Sequence, residues 1–164
     1  MNACAICRRP LSDAASRRRG LGPECWTSIL EKVHRSQSRE TPLGPFTGNV
    51  ILVRVDGKPY ANVPYRFKPL HCENHAEGMS WGFPNMAATT LALNILSQFL
   101  PPYHVDKVGD LPSPEADVLA PYFAERFLVS APYAGCIILQ RDILQWLRAV
   151  DGLAAEIRTF GVLA

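Results

Sequence analysis

No apolar run in this chain approaches the roughly 20 residues that a membrane-spanning helix needs. The N-terminus likewise lacks an apolar core followed by a small-residue cleavage site. A soluble, cytoplasmic chain with no membrane contact is therefore expected. Internal repeats and long low-complexity tracts are missing too, which argues against a fibrous or wholly disordered polymer. Catalytic signatures are scarce: there is no nucleophile elbow, no phosphate-binding loop, no paired acid and base, and no complete Ser-His-Asp order. Cysteine is sparse as well. The five present are an odd count, and three of them fall in the first 25 residues, where a reducing compartment favours metal ligation over disulfides. The 164 residues hold one ordinary domain, or a small domain with a metal-stapled module, and not a multidomain enzyme.

What the sequence does contain is globular in composition, 48% hydrophobic and 20% charged, and its net charge of +2 is unevenly spread. Residues 1–40 carry eight Lys/Arg against four Asp/Glu, while the remainder carries nine against eleven. The polar, Pro- and Gly-bearing stretch from Ser36 to Pro45 has no apolar periodicity and reads as a linker. The expected organisation is a module over residues 1–36, a linker over 37–48 and a second domain over 49–164.

In that second domain, Asn49 to Val55 reads as a strand, Asp56-Gly57 as a two-residue hairpin turn, and Tyr60 to Phe67 as a return strand. Pro59 and Pro64 consign the return strand to an edge. A mostly apolar helix is expected over Met86 to Leu100, a loop over Tyr103 to Pro114 and a helix over Glu115 to Val129. A short strand over Gly135 to Leu139 follows. Ile143, Leu144, Leu147 and Val150 stripe a third helix, and Leu153 to Phe160 reads as a separate short one. The class is α+β: a small treble-clef-like zinc finger, then a β-hairpin or meander packed with helices.

The module's chemistry begins at Cys4-Ala5-Ile6-Cys7. Its two-residue spacing lets both thiolates reach one zinc ion at about 2.3 Å. In Gly20-Leu21-Gly22-Pro23-Glu24-Cys25 the glycines permit a tight approach, Pro23 suits a first helical position, and Cys25 falls in the first helical turn. Trp26, Ile29, Leu30 and Val33 then form one apolar face. Zinc on Cys4, Cys7 and Cys25 is the expected cofactor. The fourth ligand stays open between Asp13, a water, and His71 or Cys72. His34, nine residues past Cys25, is turned to the other face of the helix at about 100° per residue.

Five arginines, Arg8, Arg9, Arg17, Arg18 and Arg19, crowd the same module. They fit phosphate contact or a solvated face that keeps the module soluble, and no aromatic residues interleave them to stack bases. The run Cys4-x-x-Cys7-Arg8-Arg9-Pro10-Leu11-Ser12-Asp13, then Ser16, then Arg19-Gly20-Leu21-Gly22-Pro23-Glu24-Cys25 resembles the zinc-finger family catalogued as domain of unknown function 6011. That resemblance implies zinc held by the cysteines and an origin in phage-related or mobile genetic elements.

The second domain resembles domain of unknown function 6166. The likeness is carried by Val55-Asp56-Gly57-Lys58-Pro59, His75 ahead of Gly78-Met79-Ser80-Trp81-Gly82-Phe83, the helix from Leu91 to Leu96, and Ile143 to Leu147. Members of that family place a glycine-rich turn before the helix, which would suit an anion. Here Pro84-Asn85-Met86-Ala87 stands there, so Trp81 and Phe83 read first as core or interface aromatics and second as ligand-stacking ones. His71 and His75, four residues apart around Cys72, would grip a metal if helical; Pro69 and Gly78 favour a loop in which His75 bonds the backbone. Cys136 reads as buried and inert.

The function expected is a non-catalytic, zinc-containing binding or adaptor protein that contacts nucleic acid or a protein or nucleoprotein complex. The alternatives are a metal-dependent enzyme centred on His71, Cys72 and His75, and a structural subunit of a larger complex.

Overall fold

The computed structural model describes residues 2–35, 43, 46–67 and 79–159, with only the backbone over 151–159. Much of the expected linker, and all of His71, Cys72 and His75, lie outside the described residues.

The chain is α+β. Two helices, α1 (Ala14–Arg19) and α2 (Pro23–Arg35), follow the Cys4 to Cys7 turn. The hairpin β1 (Val50–Val55) and β2 (Lys58–Ala61) comes next. Asp56 and Gly57 have φ of 50° and 78°, as a two-residue turn matched to strand twist requires. β2 is shorter than the expected Tyr60 to Phe67 strand and starts earlier. Past Ala61 the side chain of Asn62 replaces the ladder, accepting from the Ile51 N–H at 2.7 Å and donating to the Asn49 carbonyl at 2.9 Å. Pro64 has no N–H with which to continue it.

Helix α3 (Met86–Leu96) is capped by Asn85, whose side chain accepts from the Ala88 N–H. It stops short of Leu100 because Ser97 Oγ donates back to the Leu93 carbonyl and the chain tightens: Gln98 and Phe99 donate three residues back, to Ile95 and Leu96. The expected loop holds a hairpin instead, β3 (Tyr103–Val105) and β4 (Gly109–Leu111), with His104 Nδ1 and Asp110 Oδ1 3.0 Å apart across it. Three-residue strands are too short to show a period.

The helix expected over Glu115 to Val129 is two pieces, α4 (Pro114–Phe123) and a π-helical turn (Ala124–Leu128). Pro121 lies within α4 and offers no N–H to its ladder, and Val129 donates five residues back, to Ala124. β5 (Gly135–Ile138) precedes α5 (Gln140–Thr159). The separate last helix is a continuation of α5 through Gly152, which a helix tolerates at a cost of about 1 kcal/mol.

The sheet order is β2-β1-β5, antiparallel throughout. It is not a meander, since the third strand joins β1 only after three helical segments have intervened. β1 is buried on both faces. Val50 and Leu52, with Cys136 and Ile138 of β5, pack under α3 and α4 with Trp81, Leu91, Ile95, Phe123 and Ile143. Val53 and Val55, with Ile137 and Leu139, belong to a second cluster whose other members are Cys4, Leu11, Leu21, Trp26, Ile29 and Val33. The cysteine-bearing segment therefore covers one face of the sheet and the helices cover the other.

Candidate metal centre and the arginine face

Three short backbone devices bring the thiols together. The Cys4 N–H donates to the Arg9 carbonyl at 2.8 Å and the Arg8 N–H to the Cys4 carbonyl at 3.0 Å, closing a knuckle. Arg8 sits at φ 65°, a left-handed position that costs a side chain about 1–2 kcal/mol. Gly20 ends α1 at φ 77°, where glycine is favoured, and its carbonyl accepts from the Ala5 N–H at 3.0 Å. Of the two glycines read as permitting close approach, Gly20 alone is left-handed. A Cβ at Gly22 would meet Leu11 at 3.5 Å, an ordinary contact. Pro23 opens α2 and places Cys25 in its first turn.

The sulfurs of Cys4, Cys7 and Cys25 all lie within 4.8 Å of one another. Tetrahedral zinc with sulfurs at about 2.3 Å sets them roughly 3.8 Å apart, so small side-chain adjustments close the site. Burial pushes the Cys4 thiol up. The backbone N–H groups of Gly22, Cys7 and Ile6 and the Cys7 side chain outweigh it, and Cys4 falls to about 6. Cys25 is pushed up to about 11, by burial first and then by the hydrogen bonds and charge of Cys7 and Cys4. Three soft sulfur donors brought this close together are a donor set suited to a divalent thiophilic cation.

Asp13, weighed as a fourth ligand, is used otherwise: its carboxylate caps α1, accepting from the Ser16 N–H at 2.7 Å. His34 is exposed near the far end of α2. A hollow of about 230 Å³ opens beside the thiols, and the carboxylate lining it, Glu24, is paired with Arg9.

The five arginines do not form one free patch. Arg9 holds Glu24, Arg17 donates to the Leu11 and Ser12 carbonyls, and the Arg19 guanidinium lies 4.6 Å over the ring of Trp26. Arg8 and Arg18 are exposed, and their side chains make no hydrogen bond or ion pair among the described residues.

Trp81 is fully buried and donates from Nε1 to the Pro132 carbonyl at 3.0 Å, as expected of a core aromatic, while Phe83 is 42% exposed. Cys136 is buried and pushed up to about 12. Sequence reasoning missed helix α1, although Asp13 before it and Gly20 after it are its cap signals. It also missed Arg54, whose guanidinium lies over the rings of both Trp81 and Tyr133, 4.9 and 4.2 Å from their centroids.

Residues 2–30 match a family of unknown function, DUF6011. The match takes in all three clustered cysteines and all five arginines and ends within α2. Neither the curated proteins nor the solved structures compared with this chain gave a match. Among the described residues no helix is long and apolar enough to cross a membrane.

Proposed function

We infer that this chain is a non-catalytic adaptor. One structural zinc ion on Cys4, Cys7 and Cys25 holds its N-terminal segment as a treble-clef-like finger, and the arginine face of that finger contacts nucleic acid or a nucleoprotein partner. The observation that carries the reading is the convergence of three thiols within 4.8 Å on a segment whose apolar side packs on the sheet. A segment of this size buries too little surface to hold its shape alone, and zinc contributes roughly 10–16 kcal/mol in finger-like peptides. A structural rather than catalytic ion is favoured by Glu24, the carboxylate beside the thiols, being occupied by Arg9, which leaves it poorly placed as a general base. Exposed Arg8 and Arg18 support the choice of an anionic partner.

Native mass spectrometry of protein purified without chelator tests the metal, with one zinc per chain expected and a zinc-free protein overturning the reading. Salt titration tests the partner. Duplex or single-stranded nucleic acid held by arginines loses affinity linearly in log–log salt, with a slope of about −0.7 to −0.9 per phosphate neutralised.

A further inference from the structure

No aromatic residue interleaves the arginines along the sequence, and besides Trp26 under Arg19 the fold supplies a second ring from far down the chain. Arg18 and Arg19, at the end of α1, share a groove of about 430 Å³ with Ser130, Pro132 and Tyr133, in the turn before β5. That volume falls within the roughly 300–1,000 Å³ of ordinary small-ligand sites. No carboxylate lines the groove among the described residues.

Tyr133 is held from behind. The Arg54 guanidinium lies 4.2 Å from its ring centroid and donates to the Tyr133, Gly57 and Trp81 carbonyls and to Ser80 Oγ. Tyr133 nevertheless remains 61% exposed. A ring braced by Arg54 and still largely exposed, beside two cations and no anion, combines the stacking and charge that recognise an unpaired nucleotide.

We propose that this groove takes one nucleotide of a single-stranded nucleic acid, its base stacked on the Tyr133 face turned away from Arg54 and its phosphate against Arg18 and Arg19. The inference rests on the nucleic-acid reading given above and narrows it. A duplex offers no free base face to Tyr133. An acidic peptide satisfies the arginines but leaves the ring uncovered.

The test is anisotropy of a labelled oligo(dT) of about ten nucleotides, within the roughly 4–16 of single-strand sites, titrated with the zinc-loaded full chain. Tyr133→Ala should weaken binding roughly 5- to 150-fold, the range of one lost base stack, and Tyr133→Phe should restore it. Arg18→Ala should flatten the log–log salt slope by about 0.7. Circular dichroism of each variant confirms that the fold persists. Wild-type affinity in both Tyr133→Ala and Arg18→Ala overturns the groove and leaves the broader nucleic-acid reading standing. Equal or tighter binding of the matching duplex, or of polyglutamate, overturns the single-strand assignment. Absence of binding to any nucleic acid overturns both.

Discussion

Gly135 lies so close to Leu52 across the β1/β5 ladder that a Cβ built on it would come within 2.1 Å of the Leu52 carbonyl oxygen. Its φ of 119° also belongs to glycine. Gly135→Ala must push β5 away from β1 and strain its own backbone. The expected loss is about 3 kcal/mol or more, read as a lowered denaturant midpoint; an unchanged midpoint would refute the close approach.

Asn94 makes a second prediction. Its side chain, wholly buried on α3, accepts from the Arg66 and Phe67 N–H groups and donates to the Phe67 and Thr90 carbonyls. Asn94→Leu strands those backbone groups, each at about 1–3 kcal/mol. A loss of about 3–5 kcal/mol is expected, and a change below 1 kcal/mol in chemical denaturation would contradict the network.

Arg8 is left-handed, so Arg8→Gly relieves strain of about 1 kcal/mol. In a chain this long that raises the melting temperature by roughly 2–4 °C. Arg8→Val, β-branched, should lower it. A matching change in both variants would show that charge and not backbone geometry sets the effect.

Zinc uptake should depend on pH in a definite direction. Cys4 ionises at about 6, whereas Cys25 holds its proton to about 11. At neutral pH the metal must displace the Cys25 proton, so affinity rises with pH and falls as acid reprotonates the thiols. Calorimetry in buffers of different ionisation enthalpy should register proton release, and Cys25→Ser should reduce it. Proton uptake on binding would contradict the assignment.

Because the cysteine segment and the sheet share a cluster, chelation should not stay local. Hydrogen exchange is expected to quicken at Val53 and Ile137 as well as at Trp26. Exchange confined to the first 35 residues would show that the sheet keeps its face covered without metal.

Local features were legible in the sequence. The Cys4 to Cys7 spacing, the Asp56-Gly57 turn and the Trp26, Ile29 and Val33 stripe each depend on residues within a few positions of one another, and all three appear in the fold. β1 was expected as a strand, but its burial on both faces was not read, although the run from Val50 to Val53 lacks polar alternation. Nothing in it named the segment that covers the second face. β3 and β4 were too short for a period to show, and the π-helical turn reflects Pro121 interrupting a helix that otherwise reads as continuous. The groove lay furthest from reach, since Arg18 and Tyr133 come to line one hollow only through the pairing of β5 with β1 and the packing of α1 beside β5.

Strands β1 and β5 consequently have little face of their own to offer water. Ile51, Val53, Val55, Ile137 and Leu139 form an adhesive surface whose cover is clasped by three oxidisable thiols. A fragment beginning at Asn49 would expose that surface and should precipitate. With the proposed ion in place, oxidation of the cysteines or its withdrawal should threaten the same outcome in the intact chain, which would make redox and metal supply a determinant of solubility.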